Sequence, residues 1–268
     1  MPVFWYALSQ TISINTNHAI LIFIILHVLV YPASNGYNSY MDRDTESVGG
    51  IKNPKQPTQQ LFYVTILLDT VAITLGFFIS LYFVAALVAY ILASRAYSYR
   101  GIRLKKYPVA GYITVIFFQG AVTFFMVMHG SSVGKTLDVP VPGLIASSLL
   151  IGGFYPLTQI YQHQQDKEDG VTTLSMLLGY KGTFIFTAVI YFFAVAVLAY
   201  QLIPSLQQTG FFIIQLYFIP VLIYFFWWFK KVFYNQSAAN FVNTMRMNLL
   251  ASVCTNAAFI TLFLIEKF

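Results

Sequence analysis

The 268-residue chain is 58% hydrophobic and 9% charged, with 26 Phe, 19 Tyr and a mean hydropathy of +0.69. A soluble domain carries about 25% charged residues, so this composition excludes a soluble globular protein and marks an all-α integral membrane protein. The single cysteine, Cys254, excludes an intrachain disulfide and any cysteine-based metal site and reads as a small buried hydrophobe.

In chain order, residues 1–12 (MPVFWYALSQTI) are apolar but too short to cross a bilayer, which takes about 20 residues. They read as a re-entrant or interfacial piece, or as the second half of a helix whose first half lies outside the sequence. They carry no basic n-region, so no secretory leader is expected. The first full span is expected at about 17–36. The stretch 61–94 holds one charge, Asp69; as one helix it would be about 51 Å long at 1.5 Å per residue, so it divides near Gly76 into spans at about 58–76 and 77–97. Further spans are expected at about 108–130, 143–162, 181–203, 210–229 and 245–265, giving eight in all.

Alternating the loops across the bilayer tests that count. Of the 15 Lys and Arg residues, all but Lys135 and Lys267 fall on one side. Basic residues collect on the cytoplasmic side, so that side carries Arg43, Arg95, Arg100, Arg103, Lys105 and Lys106 among others. The net charge of +6 is therefore a topology signal, and no nucleic-acid partner is expected.

Acidic residues are few and clustered. Residues 1–41 contain no Asp, Glu, Lys or Arg, and then NGYNSYMDRDTE (35–46) supplies Asp42, Asp44 and Glu46. If the helix continues through 46, Asn38, Asp42 and Glu46 share one face. An amide oxygen and two carboxylates on one stripe suit a hard cation such as Mg²⁺, which commonly takes one or two carboxylates plus substrate phosphates. A second cluster, YQHQQDKEDG (161–170), ends another span on the same side, with Gln162 and Asp166 four apart, Glu168 and Asp169 following, and Gly170 placed to stop the helix. Between them lies the basic loop RAYSYRGIRLKKYP (95–108). Two acidic helix ends and a basic loop at one membrane face suit a metal-bound diphosphate, against the plainer reading of solvated loop charges and ordinary topology marking.

At these residues a resemblance enters. N38-S-Y-M-D42-R-D-T-E46 resembles the first aspartate-rich motif of the UbiA prenyltransferase superfamily. Q162-H-Q-Q-D166-K-E-D-G170-V-T-T173-L174-S-M-L-L-G179 resembles the second, and Tyr97-Ser98 followed by Leu104-Lys105-Lys106-Tyr107-Pro108 resembles the basic loop between them. All three stand in family order across most of the chain. The resemblance implies a single domain over 1–268: a bundle of eight to nine helices around a central membrane-open cavity, set in the inner membrane with both acidic motifs cytoplasmic. It implies a transferase that binds a prenyl diphosphate through Mg²⁺ and passes the prenyl group to an aromatic or other lipophilic acceptor. By motif position, Asp42 and Asp166 would be catalytic. Asn38, Tyr97, Lys105 and Gln162 would hold the diphosphate, and Asn38, Asp42, Glu46, Asp166 and Asp169 would ligate metal. The departures are Ser39 where the family usually has Asp, Glu46 for Asp, and Gln162 for the leading Asp of the second motif. The last removes a charge from one metal site and leaves Glu168 or Asp169 to compensate.

Other readings stay open. A cyclase of the same superfamily would turn the cation on its own chain; a transporter would release no diphosphate, and neither inverted repeats nor paired broken helices are visible. Asp69, inside a span, is either functional or a buried acid paired with a local Thr, Tyr or Asn. His27 reads as a packing histidine and His163 as a helix-end polar residue within reach of a diphosphate. Asn240, Asn243 and Asn248 read as caps or helix-contact groups. The Trp227-Trp228 pair before Lys230-Lys231 reads as an interfacial anchor.

Overall fold

A computed structural model describes residues 1–43 and 51–267. Among the described residues the regular structure is helical, with one isolated bridge between Ile14 and Ser132. The helices are α1 (Pro2–Gln10), α2 (Thr16–Asp42), α3 (Gln59–Gly76), α4 (Leu81–Ser98), α5 (Pro108–Ser131), α6 (Val141–Gln159), α7 (His163–Glu168), α8 (Leu174–Leu202), α9 (Gln208–Tyr234) and α10 (Phe241–Lys267). Eight of them, all but α1 and α7, are long and apolar enough to cross a membrane. A backbone in hydrocarbon must satisfy its own hydrogen bonds, which is why each apolar run of span length folds as a helix. Polar residues mark the starts: Asn15 Oδ1 accepts from His18 N at 3.1 Å, Ser80 Oγ from Phe83 N at 3.0 Å, and Thr173 Oγ1 from Met176 N at 3.3 Å.

The long apolar stretch does divide at Gly76, and α4 restarts from the Ser80 cap. In α8 a short helical turn from Leu174 is set off at Gly179, whose φ of 68° and ψ of 174° only glycine adopts without strain, and the continuous span follows it, close to the expected start at 181. Two spans contain a π-helical segment, Ile24–Val30 in α2 and Phe117–Val122 in α5. In α5 the Phe118 carbonyl accepts from both the N–H and, at 3.0 Å, the Oγ1 of Thr123, and Tyr31 meets Thr123 at 3.4 Å to join the two spans just past their π segments. At Gly120 in that segment a Cβ would lie 2.4 Å from the Ser148 Cα, so α5 and α6 approach through a residue that must lack a side chain.

Helix α1 is not interfacial. It is packed inside the bundle, with Tyr6 fully buried against Phe124 and Phe259 at ring distances of 5.2 and 5.0 Å and its hydroxyl donating to Gln201 Oε1 at 2.7 Å. A second core gathers Leu157, Phe184, Phe225 and Trp228. The tryptophan pair therefore splits. Trp228 is buried and donates to the Ala238 carbonyl at 2.8 Å, while Trp227 is exposed under the Lys231 ammonium, 3.9 Å from its ring. Asn240 caps α10, its Oδ1 accepting from Asn243 N at 3.0 Å. Half-buried Cys254 lies within α10.

The bundle has two ends. At one, the 99–107 loop meets the end of α2 and the turn after α7. At the other, Asn15 N donates to the Ser131 carbonyl at 2.8 Å and Lys267 Nζ to the Thr11 carbonyl at 2.6 Å. Arg95 departs from the loop position expected of it. It lies in the last turn of α4 and turns back into the bundle, its Nε donating to Asp69 Oδ2 at 3.1 Å and its guanidinium lying 4.0 Å over the Tyr37 ring. Asp69 thus pairs with a cation and not with a neighbouring hydroxyl or amide.

Candidate diphosphate site

A cavity of about 270 Å³ opens at the first of these ends, bounded by α2, α4, α5, α6, the 99–107 loop and the segment around α7. Asn38, Asp42, Tyr97, Lys105, Gln162, Asp166 and Asp169 all line it. Glu46 lies outside the described residues, and so does Asp44.

The first acidic segment reaches the cavity on the last turns of α2. Asn38 and Asp42 share a face, as four-residue spacing requires. Among the described residues the helix ends at Asp42, where Arg43 adopts a left-handed conformation (φ 55°) and donates its N–H to the Ser39 carbonyl at 3.0 Å. Within the described residues the stripe comprises Asn38 and Asp42; its expected third member, Glu46, lies outside them. Arg100 closes this helix end, its guanidinium donating to the Met41 carbonyl at 2.7 Å and the Asp42 carbonyl at 3.2 Å. These are free acceptors at the negative end of the helix dipole. The Asp42 side chain is 4% exposed and is held by the Lys105 ammonium, with Arg103 at 3.9 Å. Asn38 Oδ1 accepts from Ser98 Oγ at 2.7 Å, which fixes the amide and leaves a second lone pair.

The second acidic segment is not a simple extension of its span. Helix α6 ends at Gln159, a turn covers 160–162, Asp166 and Glu168 sit on the separate short helix α7, and Asp169 follows its end. The turn re-aims the chain, and Asp166 N donates to the Gln162 carbonyl at 2.9 Å. Gly170 follows the helix with a φ of 66°, and Val171 N closes back onto the Asp166 carbonyl at 2.8 Å. Asp169 is bound by Arg103 through its side chain and through its carbonyl (3.1 Å), and Arg100 lies 3.6 Å away. The 99–107 loop thus bridges both acidic segments.

Deeper in the cavity the Tyr97 and Tyr155 hydroxyls contact one another, and Gln159 Nε2 donates to Tyr155 at 2.9 Å. Gln119, carried on the π segment of α5, also lines this part. Sequence reasoning missed Arg103, Tyr155, Gln159 and Gln119. The four-residue spacing of Tyr155 and Gln159, ending one turn before Gln162, was the one local signal available.

His163 faces away from the cavity. Its Nε2 meets Ser175 Oγ at 2.8 Å and its ring stacks on Tyr180 at 4.8 Å. Burial lowers its pKa to about 4, so it is neutral at physiological pH. His27 is packed against Phe23, with a ring distance of 4.5 Å.

Among the described residues no three His, Cys, Asp or Glu side chains form a ready metal cage. The donors that line the cavity are the carboxylates of Asp42, Asp166 and Asp169 with the amide oxygens of Asn38 and Gln162. They are all hard oxygen ligands, and Asp42 and Asp169 are already matched by cations. Such a set fits Mg²⁺, which takes few protein carboxylates and completes its shell with water and phosphate oxygens.

A helical membrane protein with a polyanion-sized, charge-lined cavity at one face is the class these features define. The model of the UbiA prenyltransferase family matches residues 1–250, and the chain belongs to that family. No curated protein matches the sequence at a significant level. Solved structures similar in fold include a UbiA homologue from Aeropyrum pernix K1 in its apo form, 18% identical with a TM-score of 0.69, the match covering 97% of this chain and 95% of that one. A UbiA homologue from Archaeoglobus fulgidus bound to DMAPP and Mg²⁺ is 17% identical with a TM-score of 0.63, covering 98% and 94%. A structure described for digeranylgeranylglyceryl phosphate synthase is 16% identical with a TM-score of 0.61, covering 98% and 90%.

Proposed function

We propose that this protein is a Mg²⁺-dependent membrane prenyltransferase that moves an isoprenyl group from a prenyl diphosphate to an aromatic or other lipophilic acceptor. The observation that carries the reading is the convergence of two acidic segments and one basic loop on a single cavity at the end of a membrane bundle. Family membership and the binding of DMAPP, GPP and Mg²⁺ by the Archaeoglobus fulgidus homologue support it.

In this reading the diphosphate lies between the 99–107 loop and the acidic segments while the tail extends among the spans. Asn38, Asp42, Asp166 and Asp169 would hold the metal, with Glu46 by motif position, and bound Mg²⁺ would supply charge neutralisation to the departing diphosphate. Lys105 is placed to offset the charge that grows on the leaving oxygen, an interaction stronger in the transition state than in the ground state. Tyr97 and Gln162 orient the diphosphate by hydrogen bonding. The allylic carbon–oxygen bond breaks with its electron pair on diphosphate; the acceptor attacks the allylic cation and loses a proton. Ring faces such as those of Tyr90 and Phe118, which line the cavity, stabilise that cation. The distribution of Lys and Arg supports a cytoplasmic position for this end of the bundle, with the inner membrane as the proposed location.

The test is diphosphate release by purified protein with Mg²⁺ and farnesyl or geranylgeranyl diphosphate, with and without a panel of aromatic acceptors, products read by mass spectrometry. Release of diphosphate with formation of a conjugate, dependent on acceptor, is expected. A cyclic terpene without acceptor would make the protein a cyclase, and no release under any condition would refute the enzymatic reading.

A further inference from the structure

Arg103 reaches the side chains of both acidic segments, and its conformation is unusual. Its backbone is left-handed (φ 53°), a state that disfavours a residue with a Cβ by about 1–2 kcal/mol. It is held there by its own N–H to the Tyr99 carbonyl at 2.7 Å and by Lys106 N to its carbonyl at 2.9 Å. This turn carries the guanidinium inward, where it is 11% exposed, meets Asp42 at 3.9 Å and binds the side chain and carbonyl of Asp169. Its Nε is buried with no hydrogen-bond partner, a donor that an added anion can satisfy and that is otherwise unfavourable to bury.

Among the described residues, the carboxylates of Asp42, Asp166 and Asp169 line the cavity, and the cations Arg100, Arg103 and Lys105 pair with two of them, Asp42 and Asp169. A divalent cation arriving alone would meet two carboxylates already paired and would add positive charge beside their cations. A diphosphate arriving alone would meet the three carboxylates. Arriving together, the two offset one another: the metal takes the carboxylates and the diphosphate takes the cations.

We propose that Arg103 is an internal counter-cation that couples the two ligands. It holds Asp42 and Asp169 while the metal is absent and turns its guanidinium to the diphosphate when metal and diphosphate enter. It is a positioning residue whose function is to make occupancy joint, so that metal is not retained without substrate. This rests on the metal–diphosphate reading above. Coupling of this kind is reciprocal: each ligand tightens the other by the same factor.

The test is equilibrium dialysis of the full-length protein in detergent, measuring protein-bound Mn²⁺ at fixed free Mn²⁺ with and without inorganic diphosphate. For the unsubstituted chain, diphosphate is expected to tighten Mn²⁺ by at least about tenfold. In Arg103→Gln, Mn²⁺ alone is expected to bind several-fold tighter and the tightening by diphosphate to shrink toward one. Arg103→Lys keeps the charge, but a point charge cannot span two carboxylates as a fork does, so its tightening falls between the two. This variant serves if Arg103→Gln loses its thermal unfolding transition. Unchanged Mn²⁺ affinity and unchanged tightening in either variant overturn the counter-cation role alone. Absence of Mn²⁺ binding to the unsubstituted chain even with diphosphate overturns the metal–diphosphate reading, and this inference with it.

Discussion

Removing Asp69 gives the sharpest test of how the bundle holds its first acidic segment. Asp69 and Arg95 lie within spans, their side chains 10% and 15% exposed, and Arg95 also donates to the Thr65 carbonyl at 3.3 Å and lies over the ring of Tyr37. Tyr37 belongs to the helix that ends in Asp42, one residue before Asn38. Asp69→Leu therefore strands a guanidinium among apolar spans and loosens the contact that seats α2. Breaking a buried ion pair by deleting one partner costs about 3–5 kcal/mol, whereas replacing both partners with apolar residues is often close to neutral. Asp69→Leu is expected to lower the unfolding temperature in detergent substantially, read by the fluorescence of a thiol-reactive dye on Cys254. Asp69→Leu with Arg95→Met is expected to recover most of that loss, a strongly non-additive cycle. Additive losses, or an Asp69→Leu variant as stable as the parent, would refute the account of a desolvated, mutually dependent pair.

Asp42→Ala and Asp166→Ala are each expected to lower diphosphate release by at least about hundredfold in protein that still unfolds cooperatively, and Gln162→Ala to lower it less, since it removes no charge; full activity in both aspartate variants would end the metal–diphosphate account. His163 has its pKa lowered by burial to about 4 from 6.5, so the unfolded chain takes up the proton first as pH falls. Its contribution to stability is thus constant above about pH 6.5 and is lost progressively toward pH 4. Unfolding temperatures of parent and His163→Asn across that window should show a shallower acid slope in the variant; equal slopes would count against the burial argument. Gly120→Ala places a Cβ against the Ser148 backbone and is expected to destabilise by roughly 1–3 kcal/mol, checked by the same thermal assay; an unchanged transition would mean α5 and α6 separate freely.

How much of this was readable beforehand depends on which physical constraint wrote each feature. The eight spans were legible because lipid imposes both length and apolarity on every crossing segment, and the break at Gly76 because a single helix would have been too long. The common side expected of the basic loops rests on that same count, since each extra or missing interior span would have scattered the basic residues. The Asp69–Arg95 pair was not, since its partners are far apart in sequence and Arg95 looks like one more loop cation. Trp228 was misread for a related reason. Composition places a tryptophan near the end of a span, but only the packing of α9 against its neighbours says that one ring of the pair faces inward to the Ala238 carbonyl while the other meets Lys231.

The site divides along the same line. Residue types and four-residue spacing identified Asn38 with Asp42 and Gln162 with Asp166 because a helix repeats nearly every four residues. That logic failed where the helix itself stopped. Nothing in Arg43 announces the left-handed turn that follows Asp42, and nothing in the 160–162 segment announces that Asp166 and Glu168 ride on a helix of their own. Arg103 illustrates the limit most clearly. It is one basic residue among several between Arg95 and Lys106, and no spacing rule singles it out. Its role follows from a backbone conformation that an arginine adopts here because two carboxylates and a carbonyl receive it. A chain can announce that it will bind a polyanion beside a metal through the charges it collects. In the proposed coupling, which cation would stand in for the metal until the polyanion comes is decided by a single turn.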